Sequence, residues 1–105
     1  MSVSFFKYIV LLLMVSIANA DYFDGNGLIE LMDSTRNINV TMYRGYVAGV
    51  QDSYNGVSFC VPYNVRLNQS SAIVSEYLRK HPKRWHEPAK FLIIDAMKEA
   101  FACEN

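Results

Sequence analysis

The chain has 105 residues, ten basic and ten acidic side chains, and 51% hydrophobic residues. That length allows one domain. The balanced charge argues against a polyelectrolyte partner, so no nucleic acid is expected.

Residues 1–7 are short and carry one positive charge, at Lys7. Residues 9–17 are apolar except for Ser16, and Ala18-Asn19-Ala20 sets small side chains where a signal peptidase needs them. The apolar run is about half of what a bilayer-crossing helix requires. The pattern predicts a signal peptide over residues 1–20, cleavage after Ala20, and a single domain over residues 21–105. The mature chain would then have nine basic against ten acidic side chains, a charge of −1. It would hold no membrane segment. An oxidising destination lets Cys60 and Cys103, the two cysteines, form one bridge. A zinc site is the weaker reading, because the chain has no C-x-x-C or H-x-x-x-H spacing.

Along the mature chain, Asp24-Gly25-Asn26-Gly27 is a turn cluster that leads into a short apolar helix around Leu28, Ile29, Leu31 and Met32. The polar stretch Asp33–Asn39 interrupts it. A second helix is expected over Thr41–Tyr54, with Tyr43, Tyr46, Val47, Val50 and Tyr54 on one face. Gly45 and Gly49 lie four apart in it and suggest close approach of another backbone. Asn55-Gly56 forms a turn, and Val57–Val61 an extended connector that delivers Cys60 to the core. Asn68 or Ser70 can cap a third helix reaching Lys80, with Ile73, Val74, Tyr77 and Leu78 inward. His81-Pro82 stops it. A fourth helix follows Glu87 and Pro88, and carries the stripe Ala89, Leu92, Ile93, Ala96, Met97, Ala100, Phe101. The expected fold is all-α: a compact bundle of about four helices with one disulfide.

Little here can do covalent chemistry. Bridged cysteines cannot act as thiolate nucleophiles. His81 and His86 flank a helix break, where such residues mostly cap or hydrogen-bond within a loop, and Asp52 reads as a backbone-bonded polar residue. No catalytic set, metal or cofactor is expected. The concentrated charge lies in Arg79-Lys80-His81-Pro82-Lys83-Arg84-Trp85-His86. It is either a solvated turn whose cations favour a helix C-terminus or a recognition surface, since Arg and Trp are enriched among interface hot spots.

Four fragments carry a resemblance when taken in order: Gly45-Tyr46-Val47-Ala48-Gly49-Val50-Gln51-Asp52, Phe59-Cys60-Val61-Pro62, His81-Pro82 with Arg84 and Pro88-Ala89, and Ala100-Phe101-Ala102-Cys103. Together, over about residues 25–103, they resemble the Rap/Tai family of immunity proteins against type VI secretion amidase effectors. The resemblance implies a helical periplasmic protein that binds and inhibits a peptidoglycan amidase with a Cys-His pair. It also implies a homodimer in some members, with a loop and a helix presented to the amidase cleft. Many relatives carry two further cysteines, at places that here are Met32 and Tyr43. His81, Pro82, Arg84 and Pro88 match the shared pattern, which suggests a part in building the fold. Partner contacts are expected from Lys83, Arg84 and Trp85 in the turn, and from Tyr63 and Arg66 in the connector. Trp85 is the expected anchor; the bland alternative is that it packs inward and supports the turn. A small periplasmic acid-stress chaperone, also helical and held by one bridge, is the competing reading.

Overall fold

A computed structural model describes residues 22–104. The expected signal peptide lies outside the described residues. Four α-helices follow one another: α1 (Gly25–Met32), α2 (Asn37–Tyr54), α3 (Leu67–Lys80) and α4 (Ala89–Ala100), with a 3-10 turn at Pro82–Arg84 between the last two. The all-α expectation holds, and among the described residues there is no strand beyond two isolated bridge pairs.

The first helix starts inside the turn cluster. Asp24 caps it, accepting from the Gly27 N–H at 2.8 Å. The backbone then docks on the entrance to α4. Gly25 N–H donates to the Glu87 carbonyl at 3.0 Å, Asn26 N–H to the Trp85 carbonyl at 2.9 Å, and Ala89 N–H to the Phe23 carbonyl at 2.9 Å. Such an approach requires glycine at position 25, where a Cβ would lie 2.7 Å from both Trp85 Cα and Leu92 Cδ1. The backbone therefore fastens α1 with no disulfide at Met32 or Tyr43. Those two residues line one cavity, so the two places are neighbours in space.

α2 begins four residues earlier than its apolar pattern predicts. Ser34 explains the early start: its Oγ accepts from Arg36 N–H at 3.1 Å and from Asn39 Nδ2 at 3.0 Å, supporting a polar first turn. Tyr43, Val47 and Val50 are buried as expected, flanked by half-buried Tyr46 and Tyr54. The expectation for Gly45 and Gly49 is corrected. Both are exposed, with nothing within 4 Å of where a Cβ would sit, so no backbone packs on them.

Neither Asn68 nor Ser70 caps α3. The helix begins at Leu67, and Gln69 Oε1 accepts from the Arg66 N–H at 2.8 Å. Val74 and Leu78 are fully buried, and Ile73 and Tyr77 partly so. In α4 the stripe Ala89, Leu92, Ile93, Ala96 and Met97 is buried; Ala100 is exposed and Phe101 half-buried. Each fully buried Leu, Ile, Val or Met side chain contributes about 1.5–3 kcal/mol relative to exposure. The α3–α4 contact is the most extensive between helices.

The connector is irregular but held at several points. Gly56 has φ 85°, a left-handed conformation suited to glycine. Phe59 is fully buried, and Asn55 Oδ1 accepts from Val61 N–H at 2.9 Å. Cys60 N–H donates to the Phe101 carbonyl at 2.8 Å, and Cys60 is bonded to Cys103. Among the described residues no helix is long and apolar enough to cross a membrane.

Candidate functional site

The two groups of expected contact residues sit at opposite ends of α3. Tyr63 and Arg66 precede its first residue; Lys83, Arg84 and Trp85 follow its last. Fourteen residues of helix separate them by about 20 Å.

At the C-terminal end, Arg84 is committed internally. Its Nε and Nη2 each donate to a Glu87 carboxylate oxygen at 2.8 Å, Nη2 also reaches Asp95 Oδ2 at 2.7 Å, and Nη1 donates to the Tyr77 hydroxyl. The fork geometry suits a guanidinium bidentate on one carboxylate. Hydrogen bonding from Arg84 holds the Glu87 carboxyl below its ordinary value, overcoming the opposing effect of burial. Burial pushes the Tyr77 hydroxyl up, against the lowering influence of the Arg84 charge.

Trp85 has the inward geometry. It is half-buried against the core, and its indole N–H donates to the Leu78 carbonyl at 2.7 Å. Its own carbonyl accepts from the backbone N–H of Asn26 and from Asn26 Nδ2. The residue joins the end of α3, the turn and α1. His81 stacks on Tyr77 with centroids 4.1 Å apart, and its Nδ1 lies 2.7 Å from the Tyr77 carbonyl. Lys83, His86 and Asp52 are exposed.

At the N-terminal end the connector presents an aromatic outward. Tyr63 is fully exposed at 102%. Its turn is closed by Val65 N–H donating to the Pro62 carbonyl at 3.1 Å. The disulfide lies three residues before it and the Gln69 cap on Arg66 three residues after. Arg66 is itself exposed. The connector can therefore offer a large ring with little backbone ordering left to do on binding.

The Arg84 partners were missed in the sequence. Glu87 stands at i+3 from Arg84, a spacing that could have signalled the pair; Asp95 arrives from α4 through tertiary packing. Among the described residues no three of His, Cys, Asp and Glu gather in a metal-binding arrangement.

A family model described as Rap1a immunity proteins matches residues 24–103, from the α1 cap to the second cysteine. No curated protein matches the chain.

Proposed function

The chain belongs to the Rap1a immunity proteins, and from that premise we propose that it acts in the periplasm, binding and inhibiting a peptidoglycan amidase effector of a type VI secretion system. On this reading residues 1–20 are removed as a signal peptide and residues 21–105 are the immunity domain. The observation that carries it is the exposed Tyr63 on a connector clamped by the disulfide and the α3 cap. A tyrosine on a pre-ordered loop brings large contact area at a low entropic cost, as a plug for an enzyme cleft must. No chemistry is asked of the inhibitor.

Tyr63 is thus the anchor of the proposed interface, with Arg66 beside it. Lys83, exposed at the far end of α3, would speed encounter with an acidic surface. Arg84 and Trp85 support the turn. A homodimer, implied by the resemblance, would place two connectors on one particle, and light scattering at micromolar concentration reads it directly. The family match favours immunity over the acid-stress chaperone.

Survival of cells tests the proposal. An amidase encoded in the gene neighbouring this chain's, where that gene encodes one, is exported to the periplasm of a sensitive bacterium, with and without the chain. The full chain should prevent lysis, and a chain lacking residues 1–20 should not. Lysis unaffected by the full chain refutes the immunity function; equal protection without the leader refutes the periplasmic site of action.

A further inference from the structure

We propose that the Cys60–Cys103 disulfide is a redox exchange site, opened by a dithiol in the folded protein through attack at the Cys60 sulfur. The two cysteines are unequally placed: Cys60 is exposed and Cys103 half-buried. On either side of Cys60 the chain faces inward, for Phe59 is fully buried and Val61 packs against the core. That alternation belongs to an extended run, in which successive side chains point to opposite faces, and it leaves Cys60 the solvent side. Access to the attacked sulfur is one control on thiol–disulfide exchange, and exposed bridges are the labile ones.

The attack needs no helix to open. Contacts that hold the connector do not pass through the sulfurs: Gly56 N–H donates to the Phe59 carbonyl at 2.7 Å, and Val61 N–H to Asn55 Oδ1 at 2.9 Å. On the other side, Cys103 lies three residues beyond α4, between exposed Ala102 and Glu104 and outside any regular element. A sulfur leaving from that position disturbs no helical hydrogen bond.

The chemistry balances over two steps. A thiolate of the dithiol bonds to Cys60 Sγ, the bond between the two cysteine sulfurs breaks, and Cys103 leaves as a thiolate that takes a proton from water. The second thiolate of the dithiol then attacks its partner sulfur in the mixed disulfide and releases Cys60. The dithiol becomes a disulfide, and the bridge gains the same two electrons.

Opening the bridge releases a loop of 43 residues that contains α3 and α4. The tie between the connector and the end of α4 then falls to hydrogen bonding, Cys60 N–H to the Phe101 carbonyl at 2.8 Å, a far weaker link than a covalent one. Tyr63 lies three residues past Cys60. Under the immunity reading, on which this consequence rests, reduction loosens the surface offered to the amidase and oxidation restores it.

Reduction kinetics test the site. The oxidised mature protein is mixed with excess dithiothreitol, and free thiols are alkylated and counted by mass spectrometry. The folded protein should react within about tenfold of the rate in concentrated urea, and the rate should stay flat at urea concentrations below the unfolding transition. Exchange that waits for global unfolding would be slower by the unfolding equilibrium constant, about 10³ or more, and would climb steeply with urea; that result overturns the site. With glutathione as the thiol and an early acid quench, peptide mapping should find the mixed disulfide on Cys60 and the free thiol on Cys103. Glutathione on Cys103 refutes attack at Cys60. Calorimetry against the neighbouring amidase should show binding weakened about tenfold when the protein is held reduced. Equal affinity of the two forms refutes the effect on the partner surface, as does a reduced protein whose circular dichroism shows lost helices, since unfolding then explains the weakening. An amidase that the oxidised protein fails to bind sinks the immunity reading, while the kinetics and the mapping still decide the exchange site.

Discussion

Gly25→Ala should destabilise the protein although alanine is the better helix former. In a helix interior the exchange gains about 1 kcal/mol of propensity. Here the new methyl would lie 2.7 Å from Trp85 Cα and 2.8 Å from the Trp85 carbonyl oxygen. Non-bonded carbons rest at about 3.5–4.0 Å, so α1 and the turn before α4 must separate by roughly 1 Å. Overpacking of that kind costs about 1–3 kcal/mol. The separation also loosens the Gly25–Glu87 and Asn26–Trp85 backbone hydrogen bonds, at about 1 kcal/mol each. The net loss is about 2 kcal/mol, or about 8–16 °C in melting temperature for a domain of this size. Gly45→Ala and Gly49→Ala carry the propensity gain without the clash, because both positions face open space. Each should stabilise by about 0.5–1 kcal/mol. Thermal and urea melts followed by far-ultraviolet circular dichroism measure all three. A Gly25→Ala variant melting at or above the wild type would refute the close docking of α1, and a Gly45→Ala variant melting below it would refute the open face of α2.

Trp85→Ala should lower stability by about 2–3 kcal/mol, less than a fully buried indole, while binding by the folded fraction stays intact; a normal melt with lost affinity would return Trp85 to the interface. Arg84→Met removes the partner of Glu87 and Asp95 and should lower the melting temperature at pH 7. Because Arg84 holds the Glu87 carboxyl below its ordinary value, this stabilisation is present above the unfolded carboxyl's range and fades as pH falls through the folded one. The gap between variant and wild-type melts should therefore narrow toward pH 3, and a gap that widens contradicts the pairing. Reducing the Cys60–Cys103 bridge opens a loop of 43 residues and should cost about 4 kcal/mol in the chain-entropy model; reduced and oxidised protein with equal melting temperatures would contradict it.

Much of the fold was legible because the strongest local patterns agreed with the packing. The α4 stripe from Ala89 to Met97 and the His81-Pro82 stop both stand where the sequence places them, and Tyr43, Val47 and Val50 face inward together. What was not legible depended on tertiary neighbours. Gly45 and Gly49 suggested close packing by their spacing, yet the tight contact occurs at Gly25, which local sequence marks only as part of a turn. The start of α2 was hidden in a polar stretch because Ser34, three residues upstream of it, supports the turn with its hydroxyl. In the turn after α3, composition raised Arg84 and Trp85 as contacts. Asp95 and the Leu78 carbonyl, brought there by folding, engage both side chains internally. Tyr63 could be flagged only as part of a connector. Its exposure follows from Phe59 and Cys60 being drawn inward and Gln69 capping the next helix.

Occupation of the amidase cleft can be read directly from hydrolysis. Release of peptide from purified peptidoglycan by the neighbouring amidase should be titrated with the mature chain and with Tyr63→Ala. Activity should fall to zero near one equivalent of wild type, and Tyr63→Ala, melting as the wild type does, should bind weaker by about 2 kcal/mol or more. Undiminished hydrolysis at a large excess of folded wild-type protein would contradict it.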